Sequence, residues 1–197
     1  MKEILIATQN AHKMLEFTQA LESFGYKCIS LNEIGFTDEI IEDGKTFFEN
    51  AFKKAKTISL KYNMIALADD SGLIVNALPN DLGVRSKRFS KSGLDKDNNA
   101  LLVKKLKNET DRSAYFVSQL VLYYPGGKFY TYQGRVYGEI AKELKGINGF
   151  GYDPLFQIED LNKRMAELTR EEKNHVSHRG NAIKKFVKDL KNEVITI

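Results

Sequence analysis

Two adjacent acids that directly follow a short apolar run constrain the fold more than any other feature of the sequence. Asp69 and Asp70 come after residues 64–68 (Met-Ile-Ala-Leu-Ala) and precede Ser71 and Gly72. A buried strand tolerates two close carboxylates only where it emerges into a cleft, because the anions repel each other and are costly to desolvate without compensating cations or hydrogen-bond donors. The pattern therefore predicts a buried strand that ends at a functional site.

Length and composition are those of a soluble globular protein. The chain has 197 residues, of which 42% are hydrophobic and 28% are charged. No apolar stretch approaches the roughly 20 residues that a membrane span requires. Open α/β sheets of this size often form one unit, so we expect a single domain over residues 1–197, or two closely packed lobes around a cleft.

The ends of the chain and its cysteine content favour a cytoplasmic location. Residues 1–3 lead straight into the apolar residues 4–7, which is too short for the core of a signal peptide and favours a first core strand. Cys28 is the single cysteine, so no disulfide can form within the chain, as expected in a reducing compartment. The net charge of +4 suits an anionic ligand without requiring a nucleic-acid polymer.

The periodicity of apolar residues alternates between strands and helices. Spacings of three and four predict helices, and short β-branched or aromatic runs predict strands. The turn sequence at 125–128 (Pro-Gly-Gly-Lys) predicts an antiparallel hairpin. These patterns indicate an α/β class with a mixed central sheet, a long antiparallel hairpin and helices on both sides. The predicted strands are 3–7, 28–31, 64–70, 114–124, 129–137 and 150–158, and the predicted helices are 10–24, 46–60, 98–106 and 177–191.

Three polar side chains follow the first predicted strand. Thr8, Asn10 and Lys13 lie where this strand gives way to a helix, and helix N-termini favour phosphate. The alternative, with about equal weight, is that Asn10 only caps the helix and Lys13 is a solvated lysine. The P-loop pattern Gly-x-x-x-x-Gly-Lys-Ser/Thr occurs nowhere in the sequence, which disfavours a Walker-type nucleotide hydrolase.

A second polar segment precedes the second predicted helix. Glu42 lies in a loop just ahead of that helix and can act with Asp70 as an oxygen ligand of magnesium, which takes one or two protein carboxylates together with water and substrate phosphates. Taken alone, Glu42 fits a solvated loop acid better than a metal ligand. Glu49 and Lys53 stand four residues apart, and the simplest interpretation of that spacing is a surface ion pair.

The segment around residues 149–154 combines two glycines with two aromatic rings. Phe150 and Tyr152 offer flat faces on which a purine can stack, and Asp153 offers a hydrogen-bond acceptor. A tight entry into a core strand fits the same residues equally well. The aromatic content alone does not separate these two interpretations.

A basic segment precedes the last predicted helix. Lys173 and Arg179 can neutralise phosphate or hold a carbonyl oxygen, and Ser177 is expected to begin the helix, with His178 and Arg179 in its first turn. Positive charge in a first turn opposes the helix dipole, which favours an anionic ligand or a base edge nearby. The alternative is a histidine and an arginine on an ordinary surface.

Taken together, these segments resemble the inosine triphosphate pyrophosphatase family, also called the Ham1 family. The resemblance spans nearly the whole chain, and four motifs occur in the family's order and spacing. The sequence departs from the family at residues 79–89, where the loop is more basic. The matching segments are Thr8-Gln9-Asn10-x-x-Lys13, Glu42-Asp43-Gly44-x-Thr46-Phe47-x-Glu49-Asn50 with Lys54-Ala55, Ala68-Asp69-Asp70-Ser71-Gly72-Leu73, and Gly149-Phe150-Gly151-Tyr152-Asp153-Pro154 with Ser177-His178-Arg179-Gly180.

The resemblance implies a house-cleaning pyrophosphatase that acts on deaminated purine nucleoside triphosphates. Water would attack at the α-β phosphate linkage to give a nucleoside monophosphate and pyrophosphate. By the same resemblance, Glu42 and Asp70 would bind Mg²⁺, Asp70 would activate the water, and the protein would form a homodimer. The implied substrate-binding residues are Thr8, Asn10, Lys13, Lys54, Ser71, Phe150, Gly151, Tyr152, Asp153, Lys173, His178 and Arg179.

Two other functions remain open on the sequence. A Maf-type pyrophosphatase would act on modified pyrimidine nucleotides, although the aromatic segment near Phe150 favours a purine. A non-catalytic nucleotide or RNA binder is suggested by the positive charge, but no surface module that combines aromatic and basic residues supports it. A panel of nucleotide substrates separates these alternatives.

Overall fold

A computed structural model describes residues 2–22 and 24–197 as a mixed α/β structure. Its six strands form one sheet in the order β2-β1-β3-β4-β5-β6. The predicted α/β class with a mixed sheet is confirmed. The strands are β1 (Lys2–Ile6), β2 (Tyr26–Ser30), β3 (Ala66–Val75), β4 (Ser113–Tyr123), β5 (Phe129–Ile140) and β6 (Phe156–Ile158), and the α-helices are α1 (Ala11–Glu22), α2 (Phe47–Tyr62), α3 (Asp95–Lys105), α4 (Arg170–Val176) and α5 (His178–Lys191).

The chain divides into two compact units, each with its own apolar core. The first unit comprises Met1–Asp70, Ser118–Gln133 and Ala182–Ile197, and the second comprises Ser71–Val117 and Gly134–Asn181. The division falls within β3, between Asp70 and Ser71. None of the described helices is both long and apolar enough to cross a membrane.

The parallel part of the sheet lies in the first unit and explains where the adjacent acids stand. β1 pairs in parallel with β2 and with β3, and its last pair with β3 joins Ile6 to Leu67. The prediction that β3 ends at Asp69 and Asp70 is wrong, because β3 runs on to Val75. The strand that ends here is β1, so the two acids lie just beyond the end of their parallel neighbour.

Helix α2 carries the polar side chains that approach those acids. Thr46 caps its N-terminus in a capping box, in which Thr46 Oγ1 accepts from Glu49 N–H and the Glu49 carboxylate accepts from Thr46 N–H. The predicted surface pair of Glu49 with Lys53 is therefore wrong, and Lys53 pairs with Asp43 instead. The buried residues Ala51, Ala55 and Ile58 pack α2 into an apolar cluster of the first unit.

The predicted hairpin is confirmed, whereas the predicted strand at 150–158 is largely wrong. β4 and β5 are joined by a turn in which Tyr124 N–H donates to Lys128 O. Only β6 is extended in the later segment, where it pairs antiparallel with β5. The preceding residues form turns instead, because Gly149 and Gly151 adopt positive φ values of 79° and 63° that a strand does not contain.

The last predicted helix begins as expected, but it follows directly on a helix that the sequence did not indicate. Ser177 ends α4, and its Oγ accepts from Gly180 N–H in the first turn of α5. His178 and Arg179 accordingly occupy that first turn, as predicted.

Candidate active site

Five charged side chains of the first unit form the acid–lysine cluster. Lys13 comes from the first turn of α1, Lys54 from α2, Glu42 from the loop before α2, and Asp69 and Asp70 from β3. The sequence singled out all five, and the fold brings them together although they are separated by up to 57 positions in the chain.

Asp69 is the most deeply held member of the acid–lysine cluster. Its side chain is fully buried, and Oδ2 lies 2.7 Å from Lys13 Nζ. Its other oxygen, Oδ1, accepts a hydrogen bond from the buried hydroxyl of Ser118 on β4. A buried carboxylate that loses such a partner is left as an uncompensated charge, which is strongly destabilising. Asp69 therefore fixes the position of Lys13.

Asp70 is also buried, but its charge is less well compensated. Asn50 Nδ2 donates to Oδ2 over 3.0 Å, and Lys54 Nζ lies 3.7 Å from Oδ1. Burial raises the pKa of Asp70 above its ordinary value, and nearby Glu42 raises it further, while Lys54, Lys13 and the Asn50 hydrogen bond oppose the rise. A raised pKa makes this carboxylate a better proton acceptor, as a general base requires.

Lys54 joins the loop acid to the end of the parallel sheet. Its Nζ contacts Glu42 Oε1 at 2.5 Å and donates to the Asp69 backbone oxygen over 2.9 Å. Glu42 is half-buried and ion-paired, so the interpretation of Glu42 as a solvated loop acid is wrong.

Glu42 and Asp70 fit the chemistry of a magnesium site. Both carboxylates lie near the same ammonium group of Lys54, at 2.5 and 3.7 Å, so the two acids face one common cation. Among residues 2–22 and 24–197 no group of three or more histidines, cysteines or acids has the arrangement of a metal site. Two protein carboxylates are enough for Mg²⁺, which keeps several waters and takes substrate phosphates as further ligands.

The segment before α1 is organised as a helix cap. Asn10 Oδ1 accepts from the backbone N–H groups of His12 and Lys13, and Thr8 Oγ1 accepts from Asn10 N–H. Asn10 therefore caps α1. The interpretation of Lys13 as a solvated lysine is wrong, because its ammonium pairs with Asp69. Phosphate binding by Thr8 and Asn10 stays a prediction.

In the second unit, Phe150, Asp153, Lys173 and Arg179 form the Phe150 cluster. The half-buried ring of Phe150 has Lys173 Nζ at 4.7 Å and Arg179 Cζ at 6.0 Å from its centroid. Asp153 Oδ2 accepts from Lys173 Nζ over 2.7 Å and from Phe150 N–H over 2.9 Å. The Asp153 carboxylate thus fixes the backbone of Phe150, and the Phe150 ring lies beside two cations.

Glycine at 149 is required by this arrangement. A Cβ at Gly149 would lie 2.0 Å from Asp153 Oδ2, so any side chain there would displace the carboxylate that accepts from Phe150 and Lys173. The positive φ of Gly149 adds strain for any other residue.

Residues 151 and 152 are fixed by partners that the sequence analysis did not assign to the site. Gly151 N–H donates to Asp95 Oδ2, and Gly151 O accepts from Asn99 Nδ2, both over 2.8 Å. Tyr152 is buried in the core of the second unit, and its hydroxyl donates to Ser86 O. Phe150 is therefore the ring available for stacking, and substrate contact by Gly151 and Tyr152 stays a prediction.

His178 and Arg179 are buried, so the interpretation of the pair as ordinary surface is wrong. The His178 ring stacks on Phe116 with a centroid separation of 4.8 Å. Arg179 is 1% exposed, and its Nη2 donates to Ser71 Oγ over 2.9 Å. This hydrogen bond joins the first turn of α5 to the residue that follows Asp70 in the chain.

Sequence reasoning assigned no role to two residues that contact the acid–lysine cluster, Asn50 and Ser118. Asn50 stands four residues before Lys54, so helical spacing places both side chains on one face of α2 and offered a usable signal. Ser118 carried no local signal, because its contact with Asp69 depends on β4 lying beside β3.

Comparison with known proteins identifies the family. The model of the Ham1 family matches residues 4–189. The dITP/XTP pyrophosphatases of Bacillus licheniformis and Bacillus subtilis are 47% and 46% identical to the chain, over 94% and 96% of its length and 96% and 98% of theirs. The solved Ham1 protein of Staphylococcus aureus covers 98% of the chain and all of its own length with a TM-score of 0.88 at 39% identity. A HAM1 protein from Coxiella burnetii has the same coverage with a TM-score of 0.89 at 37% identity. The chain belongs to the Ham1 family.

Proposed function

We propose that this protein is a cytoplasmic pyrophosphatase that hydrolyses deaminated purine nucleoside triphosphates, namely ITP, dITP and XTP, to the nucleoside monophosphate and pyrophosphate. The observation that carries the proposal is Asp70, a buried carboxylate of raised pKa beside Lys54 and Glu42. Relatives that share 46–47% of their residues with the chain bear the name dITP/XTP pyrophosphatase, which supports the substrate class.

We propose Mg²⁺ as the cofactor, held by Glu42 and Asp70. Pyrophosphatases of the Ham1 family depend on a metal ion. Two carboxylates without nitrogen or sulfur ligands match the preference of Mg²⁺ for oxygen. When bound, the ion would neutralise negative charge on the phosphates.

In the proposed mechanism Asp70 takes a proton from the attacking water. The water oxygen forms a bond to the α-phosphorus as the bond from that phosphorus to the bridging oxygen breaks, and pyrophosphate leaves. Lys13 and Lys54 stabilise the charge that develops on the leaving group, with Thr8 and Asn10 as further phosphate ligands. Asp69 holds Lys13 in place, which limits the motion of a long side chain that must meet a phosphate.

The Phe150 cluster would bind the base. Phe150 stacks on the purine, and Lys173 and Arg179 donate to the 6-keto oxygen of hypoxanthine or xanthine. Adenine presents an amino group there and would leave those buried donors unpaired, which costs binding free energy. Ser71, Gly151, Tyr152, Asp153 and His178 complete the proposed substrate-binding set.

A substrate panel with Mg²⁺ tests the proposed function. Pyrophosphate release is measured from ITP, dITP, XTP, ATP, GTP, CTP, UTP and a modified pyrimidine triphosphate. We expect ITP and XTP to turn over far faster than ATP or GTP, with loss of activity in EDTA. Equal rates on all purine triphosphates would refute the base specificity, and preference for the modified pyrimidine would favour the Maf-type alternative.

We propose further that the protein acts as a single catalytic domain and forms a homodimer, without a nucleic-acid or membrane partner. An aromatic cluster of the first unit supports self-association, because Phe48 and Phe129 are about 40% exposed and pack against Phe52. Sedimentation equilibrium tests this, with twice the chain mass expected and the chain mass as the contradicting result.

A further inference from the structure

Asn50 is a buried amide of α2 to which the proposed mechanism gives no role. It is 1% exposed. Its Nδ2 donates to Asp70 Oδ2 over 3.0 Å, and its Oδ1 accepts from Gly44 N–H over 2.8 Å. The amide thus joins β3 to the loop that carries Glu42, which are the two segments that supply the proposed metal ligands.

Lys54 joins the same two segments one helical turn later. Its ammonium contacts Glu42 Oε1 in the loop and the Asp69 backbone oxygen in β3. Residues four apart on a helix are neighbours on one face. One face of α2 therefore bridges the loop and the strand twice, once with a neutral amide and once with a cation.

Helix α2 is a firm support for these two bridges. Ala51, Ala55 and Ile58 are completely buried in an apolar cluster that includes Ala66 and Ala68 of β3. The capping box of Thr46 and Glu49 fixes its first turn, immediately before Asn50. Asn50 and Lys54 therefore project from helix backbone that is fixed by apolar packing and by the N-terminal capping box.

Gly44, in the loop that carries Glu42, leaves room for the Asn50 side chain because it has no side chain of its own. A Cβ at Gly44 would lie 2.6 Å from Asn50 Oδ1 and 2.8 Å from Glu49 Cβ. Real Cβ atoms do not approach other atoms so closely, so a side chain at position 44 would push the loop away from the amide.

From this geometry we infer that Asn50 is a positioning residue that sets the separation of Glu42 and Asp70 for the metal ion. The inference rests on the proposed function for the role of these carboxylates. A side-chain amide donates to a carboxylate through its nitrogen and accepts from a backbone N–H through its oxygen, and it brings no charge of its own. Groups that orient metal ligands in this way contribute substantially to metal affinity.

Metal binding to the nucleotide-free protein tests the inference without relying on turnover. Mn²⁺ is titrated into the full-length, metal-free protein, and free Mn²⁺ is measured by electron paramagnetic resonance. We expect Asn50→Ala to raise the dissociation constant about 10- to 100-fold. A dissociation constant within twofold of the wild-type value would overturn the inference.

Glu49→Ala is the matched control. It removes the carboxylate that accepts from the Lys45 and Thr46 N–H groups at the start of α2 but leaves the Asn50 amide in place. We expect it to lower the thermal stability while preserving Mn²⁺ affinity. An equal loss of affinity in Glu49→Ala would show that the effect of Asn50→Ala comes from loosening the helix, and would overturn the inference.

Gly44→Ala tests the same bridge from the other side, in a loop outside the apolar cores. We expect a loss of Mn²⁺ affinity close to that of Asn50→Ala, and a loss in the double variant well below the sum of the two because both changes break one bridge. Fully additive losses would overturn the inference.

Kinetics give a second readout that separates this inference from the proposed function. In Asn50→Ala, the Mg²⁺ concentration for half-maximal rate should rise by about the same factor as the Mn²⁺ dissociation constant. If the wild-type protein hydrolyses ITP but Asn50→Ala and Gly44→Ala bind Mn²⁺ as tightly as the wild type, only the role of Asn50 is refuted. If the wild-type protein binds no Mn²⁺, the metal site of the proposed function fails together with the inference.

Discussion

The acid–lysine cluster and the Phe150 cluster share a motif but carry opposite surplus charge. Each contains a lysine 2.7 Å from a buried aspartate, half-buried Lys13 with Asp69 in the first and buried Lys173 with Asp153 in the second. The acid–lysine cluster then adds Asp70, Glu42 and only one more lysine, so its carboxylates outnumber its cations by one. The Phe150 cluster adds Arg179, so its cations outnumber its carboxylate by one.

This difference indicates what each cluster can bind. A bound cation would balance the surplus carboxylate of the acid–lysine cluster, and we expect its lysines to remain available to phosphate when the acids hold a metal ion. The Phe150 cluster offers donors beside an aromatic face, which suits a keto oxygen on a flat base. In each cluster the Lys–Asp pair fixes the positions of its two side chains, and the charged residues around the pair determine the sign of the surplus charge.

Asp70→Asn should give the largest effect on turnover. The amide cannot accept the proton of water and binds Mg²⁺ weakly, so we expect kcat on ITP to fall about 1,000-fold or more. Steady-state pyrophosphate release measures this. Retention of more than a tenth of the wild-type rate would remove Asp70 from its catalytic role.

The same variant should stabilise the metal-free protein at neutral pH. Because the folded pKa of Asp70 lies above its unfolded value, its stabilising contribution is complete below the unfolded pKa and is lost as the pH rises through the folded pKa. Asn does not ionise, so the variant lacks this loss. Urea unfolding in EDTA at several pH values measures it, and a less stable variant at neutral pH would contradict the assigned environment.

Asp69→Asn should reverse this balance between activity and stability. It leaves Lys13 beside a neutral amide, so we expect the free energy of unfolding to fall by about 3 kcal/mol. Turnover should decline less than in Asp70→Asn, because the proposed base remains. Urea unfolding and ITP kinetics on the same preparation test both halves. A larger loss of kcat than in Asp70→Asn would exchange the roles of the two acids.

Phe150→Leu should have a moderate effect that is the same for every base. Leucine keeps an apolar side chain but removes the aromatic face, and base stacking is worth about 1–3 kcal/mol. We expect kcat/KM for ITP and for ATP to fall by similar factors of about 5- to 100-fold, so that their ratio is preserved. A collapse of the ratio would place base discrimination in the ring rather than in the donors beside it.

Lys53→Ala should have the smallest effect. Lys53 pairs with Asp43 at 2.8 Å, as close as the buried pairs, but both side chains are exposed. Water screens such a pair, so we expect no measurable change in unfolding or in kcat. A clear loss of stability would show that the contact distance, rather than burial, sets how much such lysine–carboxylate pairs contribute to stability.

The strand and helix pattern and most of the charged site residues could be predicted from the sequence, because apolar spacing and chemistry-bearing residue types are local signals. The extent of β3 could not, since its continuation past Asp70 depends on a neighbouring strand far away in the chain. The partner of Lys53 was missed because Glu49 is taken by the helix cap. The hydrogen bonds of Ser118 and Asn99 depend on tertiary packing, which no short sequence window contains.

Hydrolysis of ITP in ¹⁸O-labelled water tests the central claim most directly. With Mg²⁺ and wild-type protein, mass spectrometry of the products should find one ¹⁸O atom in inosine monophosphate and none in pyrophosphate. That result is expected if water attacks the α-phosphorus with pyrophosphate as the leaving group. Release of inosine diphosphate and labelled orthophosphate would contradict the account.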